Sequence, residues 1–318
     1  MARFGKMTLV VALLAATGAQ VPASSPASQP ASAATQPSGT VAQAYPSLTS
    51  AALAHATLAD LPAGTLLRAG EVIVNQADLD AEIASAPEAL REQLHRNAFF
   101  LLEQTATRRL LLQEARTAAG RDGKDVAAMS EQDLLQTLLV AVTAGVTVTD
   151  AEVAAFYAAN REMVGGQPLE AVREAIAQYV QQQKQQNAIA AYVEATGRRV
   201  AIEVDAAWVR RQAALAMDNP VDKARASGRP SLVDFGAQGC IPCDKLAPIL
   251  EAMKTKYEGR ANVVFISVRQ EQILASRYGI QSIPVQVFFD RDGKEVFRHT
   301  GFWPQDELEA KLAELGVR

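Results

Sequence analysis

The stretch Gly239-Cys240-Ile241-Pro242-Cys243 decides how the C-terminal third of the chain is read. It holds the only two cysteines among 318 residues, and two residues separate them. Upstream, Ser231-Leu232-Val233-Asp234-Phe235 is a β-rich apolar run interrupted by one acid. Downstream, Asp244 to Met253 carries Leu246, Ile249, Leu250 and Met253 at helical spacing. The cysteines therefore fall where a strand ends and a helix begins.

That junction favours thiol chemistry. The first turn of a helix has backbone N–H groups without intrahelical partners and carries the positive end of the helix dipole. A thiolate there is stabilised, so the thiol pKa falls from about 8.5 towards neutrality or below. Thiolate is the attacking species in disulfide exchange, and cysteines at i and i+3 can close a small ring. Cys240, at the helix start, is expected to attack. Cys243, one turn in and more buried, is expected to resolve the mixed disulfide. Two blander readings compete, a purely structural disulfide and half of a zinc site. The exposed loop–helix junction argues against the first. Against the second, tetrahedral zinc takes four ligands, and His55, His95 and His299 are scattered. Asp234 could be a strand residue facing water, but its apolar neighbours Val233 and Phe235 suggest a strand buried on both faces.

Further along come a strand pattern at Asn262 to Val268, a short helix around Gln270 to Tyr278, and the run Gly279-Ile280-Gln281-Ser282-Ile283-Pro284-Val285-Gln286-Val287-Phe288-Phe289. A turn at Asp290 to Gly293 leads to a strand at Lys294 to Arg298, and a closing helix spans Pro304 to Leu315. With Asp234, Cys240-Ile241-Pro242-Cys243, Pro248 inside the helix, Ile283-Pro284 and Phe288-Phe289-Asp290 leading to Gly293, this order resembles the thioredoxin family over about Asn219 to Arg318. The resemblance implies an α/β domain, a central mixed sheet flanked by helices, with thiol–disulfide oxidoreductase activity and no cofactor beyond a redox-active Cys240–Cys243 disulfide. It implies that Pro284 is cis and packed against the cysteines; a trans strand-start proline is the alternative. It implies that Asp234 relays a proton to or from Cys243, and that Ile241, Pro242, Ile283 and Pro284 meet an incoming peptide. Two residues depart from the family. Gly239 stands where Trp is usual, and Asp244 where Lys is usual, so a carboxylate near the thiols opposes thiolate formation.

Elsewhere the chain is about half hydrophobic and mildly acidic, with net charge −4, which argues against a nucleic-acid binder with a basic face. Residues 1–19 read as an export signal: Arg3 and Lys6, an apolar core from Met7 to Ala16, then small residues Thr17-Gly18-Ala19. The core is too short for a comfortable membrane span, though an uncleaved anchor is an alternative. Export, to the periplasm or another extracytoplasmic space, supplies disulfide-containing substrates. No Asp, Glu, Lys or Arg occurs between Lys6 and Asp60, and residues 20–59, rich in Ala, Ser, Pro, Gln and Thr, are expected to form a disordered tether.

Residues 60–205 read as mostly helical. Two short strands flank Gly70-Glu71, and Asn75 can cap the helix that follows. One long helix is expected from about Pro87 to Ala119, another over Glu131 to Ala144, and a third after the capping box Thr149-Asp150-Ala151-Glu152. A long helix to about Ala195 follows, then a strand from Arg199 to Val204. Val72 to Asp80, Arg109 to Ala115, Val148 to Val153 with Phe156-Tyr157, and Leu169 to Val193 ending in Val200 to Val204 resemble the helical chaperone module of SurA and related parvulin-type foldases. The prolyl isomerase domain often inserted there is missing, since only Met163 to Gln167 occupies its place, so no isomerase activity is expected. The resemblance implies a cradle for unfolded chains; alternatively the apolar faces are only the module's own core, or a dimerisation surface. Residues 206–218 form a connector and 219–318 the thioredoxin-like domain. The expected whole is an exported thiol–disulfide oxidoreductase acting on unfolded or disulfide-containing proteins and served by an upstream redox partner. The alternative is a non-catalytic holdase.

Overall fold

The computed structural model describes residues 39–49, 51–161 and 165–318. The expected signal segment, and the tether up to residue 38, lie outside the described residues. Among the described residues no helix is long and apolar enough to cross a membrane. The described chain divides into two compact units, one built from Thr107–Val193 and Asn219–Arg318, the other from residues up to Ala106 and Glu194–Asp218.

The C-terminal part of the first unit holds the expected mixed sheet flanked by helices. Its strands are β5 (Ser231–Gly236), β6 (Asn262–Ser267), β7 (Val285–Phe289) and β8 (Glu295–Thr300), in the order β6-β5-β7-β8. The pair β5–β6 is parallel; β5–β7 and β7–β8 are antiparallel. Side chains alternate between the faces with period two. Leu232 and Phe288 point to the face covered by α10 (Ile241–Lys256) and α12 (Gln305–Glu314), where Leu246, Leu250, Met253, Leu308 and Leu312 are buried. Val233, Phe235, Val285, Val287 and Phe289 point to the other face, with Val221 of α9 (Pro220–Arg225) and Leu274 of α11 (Gln272–Arg277). Both faces are dry, so β5 and β7 are buried along their whole length. Between α9 and α11, the buried Asp222 carboxylate accepts from Arg277 at 2.9 Å and from the Tyr278 hydroxyl at 2.7 Å. A buried charge held this way has its hydrogen bonds satisfied.

The helical part of this unit includes α5 (Glu131–Thr143), α6 (Asp150–Ala159) and α7 (Leu169–Arg199), the last crossing the unit boundary. The capping box starts α6: the Thr149 N–H donates to Glu152 at 2.8 Å and the Glu152 N–H to the Thr149 hydroxyl at 3.3 Å. Val153, Ile176 and Val180 form the core between α6 and α7.

The second unit centres on a four-stranded sheet of β1 (Thr57–Ala59), β2 (Thr65–Ala69), β3 (Val72–Asn75) and β4 (Glu203–Asp205), in the order β1-β4-β2-β3. It also holds α1 (Val41–Ala44), α2 (Gln76–Ser85), α3 (Glu88–Arg96) and α8 (Ala206–Ala216); α4 (Ala98–Arg121) begins in it. Within it the Trp208 indole N–H donates to Gln76 at 3.0 Å, and the Trp208 ring lies 6.4 Å from that of Phe99.

Three expectations are corrected. The described half of the expected tether, residues 39–49 and 51–59, is ordered, because Val41, Leu53 and Ala56 are fully buried and β1 pairs in parallel with β4; a few apolar anchors and a free strand edge outweigh the lack of charge. The single helix expected from Pro87 to Ala119 is two, broken at Asn97, whose side-chain amide donates to the Gln93 carbonyl at 2.9 Å and whose backbone leaves the helical region. The strand expected from Arg199 is shorter, because α7 continues through Arg199 and β4 starts at Glu203.

Candidate active site

β5 ends at Gly236, and the chain crosses from there into α10, whose N-cap is Cys240. Pro242 lies in the first turn, where a missing N–H is harmless. Cys240 and Cys243 form a disulfide with Cα atoms 5.2 Å apart. Cys240 is half-buried, whereas Cys243 is 5% exposed. The attacking position expected for Cys240 is thus the accessible one, at the positive end of a sixteen-residue helix. Gly239, where Trp is usual in the resemblance, has φ +77°, a left-handed conformation that favours glycine over any L side chain.

Around the disulfide, Ile241 is 73% exposed and lies directly on the rim. The Ile283–Pro284 bond is cis, Pro284 is buried and Ile283 half-buried. The Pro284 carbonyl accepts from the Gly301 N–H at 2.8 Å, which ties the start of β7 to the end of β8. Asp244 and the neighbouring Lys245 are both exposed, so water screens them from the thiols.

Beneath the disulfide lies Asp234, 1% exposed on β5. Its Oδ1 accepts from the Gln286 side-chain amide at 2.8 Å. Its Oδ2 and the Cys243 Cβ both border the spot above Gly236 where a Cβ would sit, at 3.2 Å and 3.5 Å from it. A side chain at position 236 would therefore press on the acid and the inner cysteine together. Burial pushes the Asp234 pKa up from 3.8 to about 6, and the hydrogen bond from Gln286 pulls it partly back. A carboxyl poised there changes protonation near neutral pH, as a proton relay requires.

All seven residues singled out from the sequence occupy this one end of the sheet. Gln286 was missed, although its signal was available: it is the lone polar residue in an apolar strand, as Asp234 is in β5. Gly236 and Phe265 were also missed. The Phe265 ring, 48% exposed, reaches within 3.0 Å of the same spot above Gly236. Among the described residues no group of three or more His, Cys, Asp or Glu could hold a metal ion.

The family described as Thioredoxin-like domain matches residues 217–316. Thioredoxin from Staphylococcus aureus strain N315 is 39% identical over 77 residues, covering 24% of this chain and 73% of that protein. The same figures hold for the thioredoxin of strain COL. Among solved structures, Fasciola hepatica thioredoxin is 33% identical, covering 27% of this chain and 81% of that one, with a TM-score of 0.25. Chloroplastic thioredoxin z is 32% identical, covering 31% and 88%, with a TM-score of 0.29.

Proposed function

The chain belongs to the thioredoxin family through its C-terminal domain, and from that premise we propose that it is an exported thiol–disulfide oxidoreductase whose helical part holds the polypeptide substrate. The observation that carries the redox half is the Cys240–Cys243 disulfide at the start of α10, directly above a buried acid.

In the reducing direction, the Cys240 thiolate attacks one sulfur of a substrate disulfide. The substrate S–S bond breaks, one substrate thiolate leaves and takes a proton from water, and a mixed disulfide remains. Cys243 gives its thiol proton to the Asp234 carboxylate and attacks the Cys240 sulfur. The second substrate sulfur leaves as thiolate, and Cys240–Cys243 is oxidised by the two electrons the substrate has gained. The same steps reversed oxidise a substrate dithiol. The redox-active disulfide is the only cofactor invoked, and an upstream thiol donor or acceptor resets it. Ile241, Pro242 and Ile283 form the rim that meets the substrate chain, and the buried cis Pro284 sets the backbone of that rim.

Two observations support a polypeptide-holding role for the helical part, in the manner of the SurA-like modules it resembles. A groove of about 460 Å³ lies between α5 and α7, lined by Leu138, Ala141, Val142, Ala188 and Tyr192. Val140 and Tyr179 are 56% and 42% exposed on the same helices, apolar surface beyond what the local core consumes. Gln186 of α7 also donates to the Gln281 side chain at 3.0 Å, two residues before Ile283. A substrate held on α7 is thereby close to the disulfide, which raises its local concentration there. Export rests on the N-terminal sequence pattern of residues 1–19.

The test is turbidity of insulin in the presence of dithiothreitol, with wild type and Cys240→Ser. Wild type is expected to speed precipitation and the variant to fall to the uncatalysed rate. Equal rates would leave a holdase as the better reading.

A further inference from the structure

We propose that Gln286 is a positioning residue for the proton transfer: its amide holds one oxygen of Asp234 and leaves the other facing Cys243. The inference rests on the thiol-exchange reading above. Asp234 and Gln286 are direct partners across the antiparallel β5–β7 pair, so their side chains rise from the same face of the sheet. They are 1% and 0% exposed. The Gln286 Nε2–H donates to Oδ1 at 2.8 Å, while Oδ2 lies 3.2 Å from the spot above Gly236 that the Cys243 Cβ also borders. The two carboxylate oxygens thus have separate tasks. One is anchored in the sheet, and the other receives the Cys243 proton, forming the neutral acid as Cys243 becomes thiolate.

The amide does a second thing. An N–H binds a carboxylate more strongly than it binds the neutral acid, so it favours the ionised, proton-accepting form against the pull of burial. No charged side chain contributes to the Asp234 shift; burial and Gln286 account for it. Around the acid, β6 offers Phe265 and β8 offers His299, the register partner of Gln286. Burial holds the His299 pKa below its ordinary value. On α10 the facing group is Cys243, with Asp244 and Lys245 turned to solvent, and α12 buries Leu308 and Leu312 on this face. The other end of the Gln286 amide, Oε1, is buried without a hydrogen-bond partner among the described residues. That combination is poor for stability alone, because an orphaned buried carbonyl is unfavourable. A leucine of similar volume would remove it.

The experiment compares the full chain with Gln286→Leu, both also in a His299→Gln background so that the histidine does not contribute. Carbon-13 NMR of the Asp234 carboxyl in the oxidised protein reads its titration directly, with the signal identified by its loss in Asp234→Asn. Release of thionitrobenzoate from a mixed disulfide on Cys240 reads the resolving step against pH. The variant is expected to titrate about one to two pH units higher, the worth of a hydrogen bond to a charged group. Release at pH 7 is then expected to slow about two- to tenfold and to converge with wild type in alkali. An unmoved titration, whatever the stability, overturns the proposal, as does a shifted titration with an unshifted release profile. If wild type itself releases no thionitrobenzoate, the exchange reading fails, and the titration alone decides whether Gln286 governs the acid.

Discussion

Asp234→Asn tests the buried acid through stability rather than turnover. In the folded protein the Asp234 pKa is raised to about 6 from an ordinary 3.8. A raised pKa means that the native state holds the proton more tightly than the unfolded chain does. The group's contribution is therefore fully present below pH 3.8 and is lost as pH climbs through about 6. The gap between the two values, at 1.36 kcal/mol per pH unit, is about 3 kcal/mol. Asparagine has nearly the same shape, can still accept from Gln286, and never ionises. About 0.5 kcal/mol of this is already lost at pH 4, so the difference in stability between variant and wild type should grow by about 2.4 kcal/mol in favour of the variant between pH 4 and pH 8. With urea slopes of about 1–3 kcal/mol/M, the relative midpoint moves by about 0.8 M or more, well within measurement. The assay is urea unfolding of the oxidised protein followed at Trp303, which packs against Phe288 in the core of the C-terminal sheet. A Trp208→Phe background leaves it the sole tryptophan. A variant–wild-type difference that stays flat between pH 4 and pH 8 would refute the reasoning, because it would mean that Asp234 is not ionising in a buried site.

Two further predictions follow from exposure. Cys240, half-buried at the N-cap, should be alkylated at neutral pH at least tenfold faster than Cys243, which is 5% exposed, as mass spectrometry of the reduced protein would show; about tenfold corresponds to one unit of thiol pKa, and equal or reversed rates would exchange the two assignments. Val140→Glu with Tyr179→Glu, in the full chain, should slow exchange on an unfolded protein several-fold while leaving the rate on a small disulfide unchanged; a common effect on both substrates, with loss of a dimer in sedimentation, would make that surface a site for a second copy instead.

The C-terminal domain was legible because its signals are local and redundant. Near-continuous apolar runs such as Leu232 to Phe235, interrupted only by Asp234, mark the strands, and the spacing of Leu246, Leu250 and Met253 marks the face of α10. The cysteines and Asp234 stood out because each is chemically conspicuous against its neighbours. Gln286 was overlooked because its importance comes from its partner 52 residues away, and pairing across strands is not written in either strand alone. Gly236 was likewise silent: what it provides is empty space, and a glycine with ordinary backbone angles reveals that only when its neighbours in three dimensions are known. In the N-terminal half, composition misled at Val41 and Leu53. A charge-free segment reads as tether until the strand edge it completes is in view. Asn97 shows the opposite limit, since helical spacing runs straight through Pro87 to Ala119 while one side-chain amide diverts the backbone.

The order β1-β4-β2-β3 has a consequence for how the protein is made. Strand β4, residues Glu203–Asp205, separates β1 from β2, so among the described residues it is the only strand that β1 pairs with, beside a single bridge to Thr40. Yet more than 140 residues of chain, two long helices among them, are synthesised between β1 and β4. Until Asp205 has left the ribosome, β1 has no strand among the described residues to pair with and one side of β2 is unpaired, the kind of edge that recruits other chains. Closing so long a loop is slow. The strands of the C-terminal sheet, by contrast, all lie within Ser231–Thr300, so their pairing needs no strand made before them. The nascent chain therefore spends most of its synthesis with its first domain open and must complete that domain late. A helper that shields an unpaired edge would find its target in the residues around Thr57–Ala69, long before the cysteines have been translated.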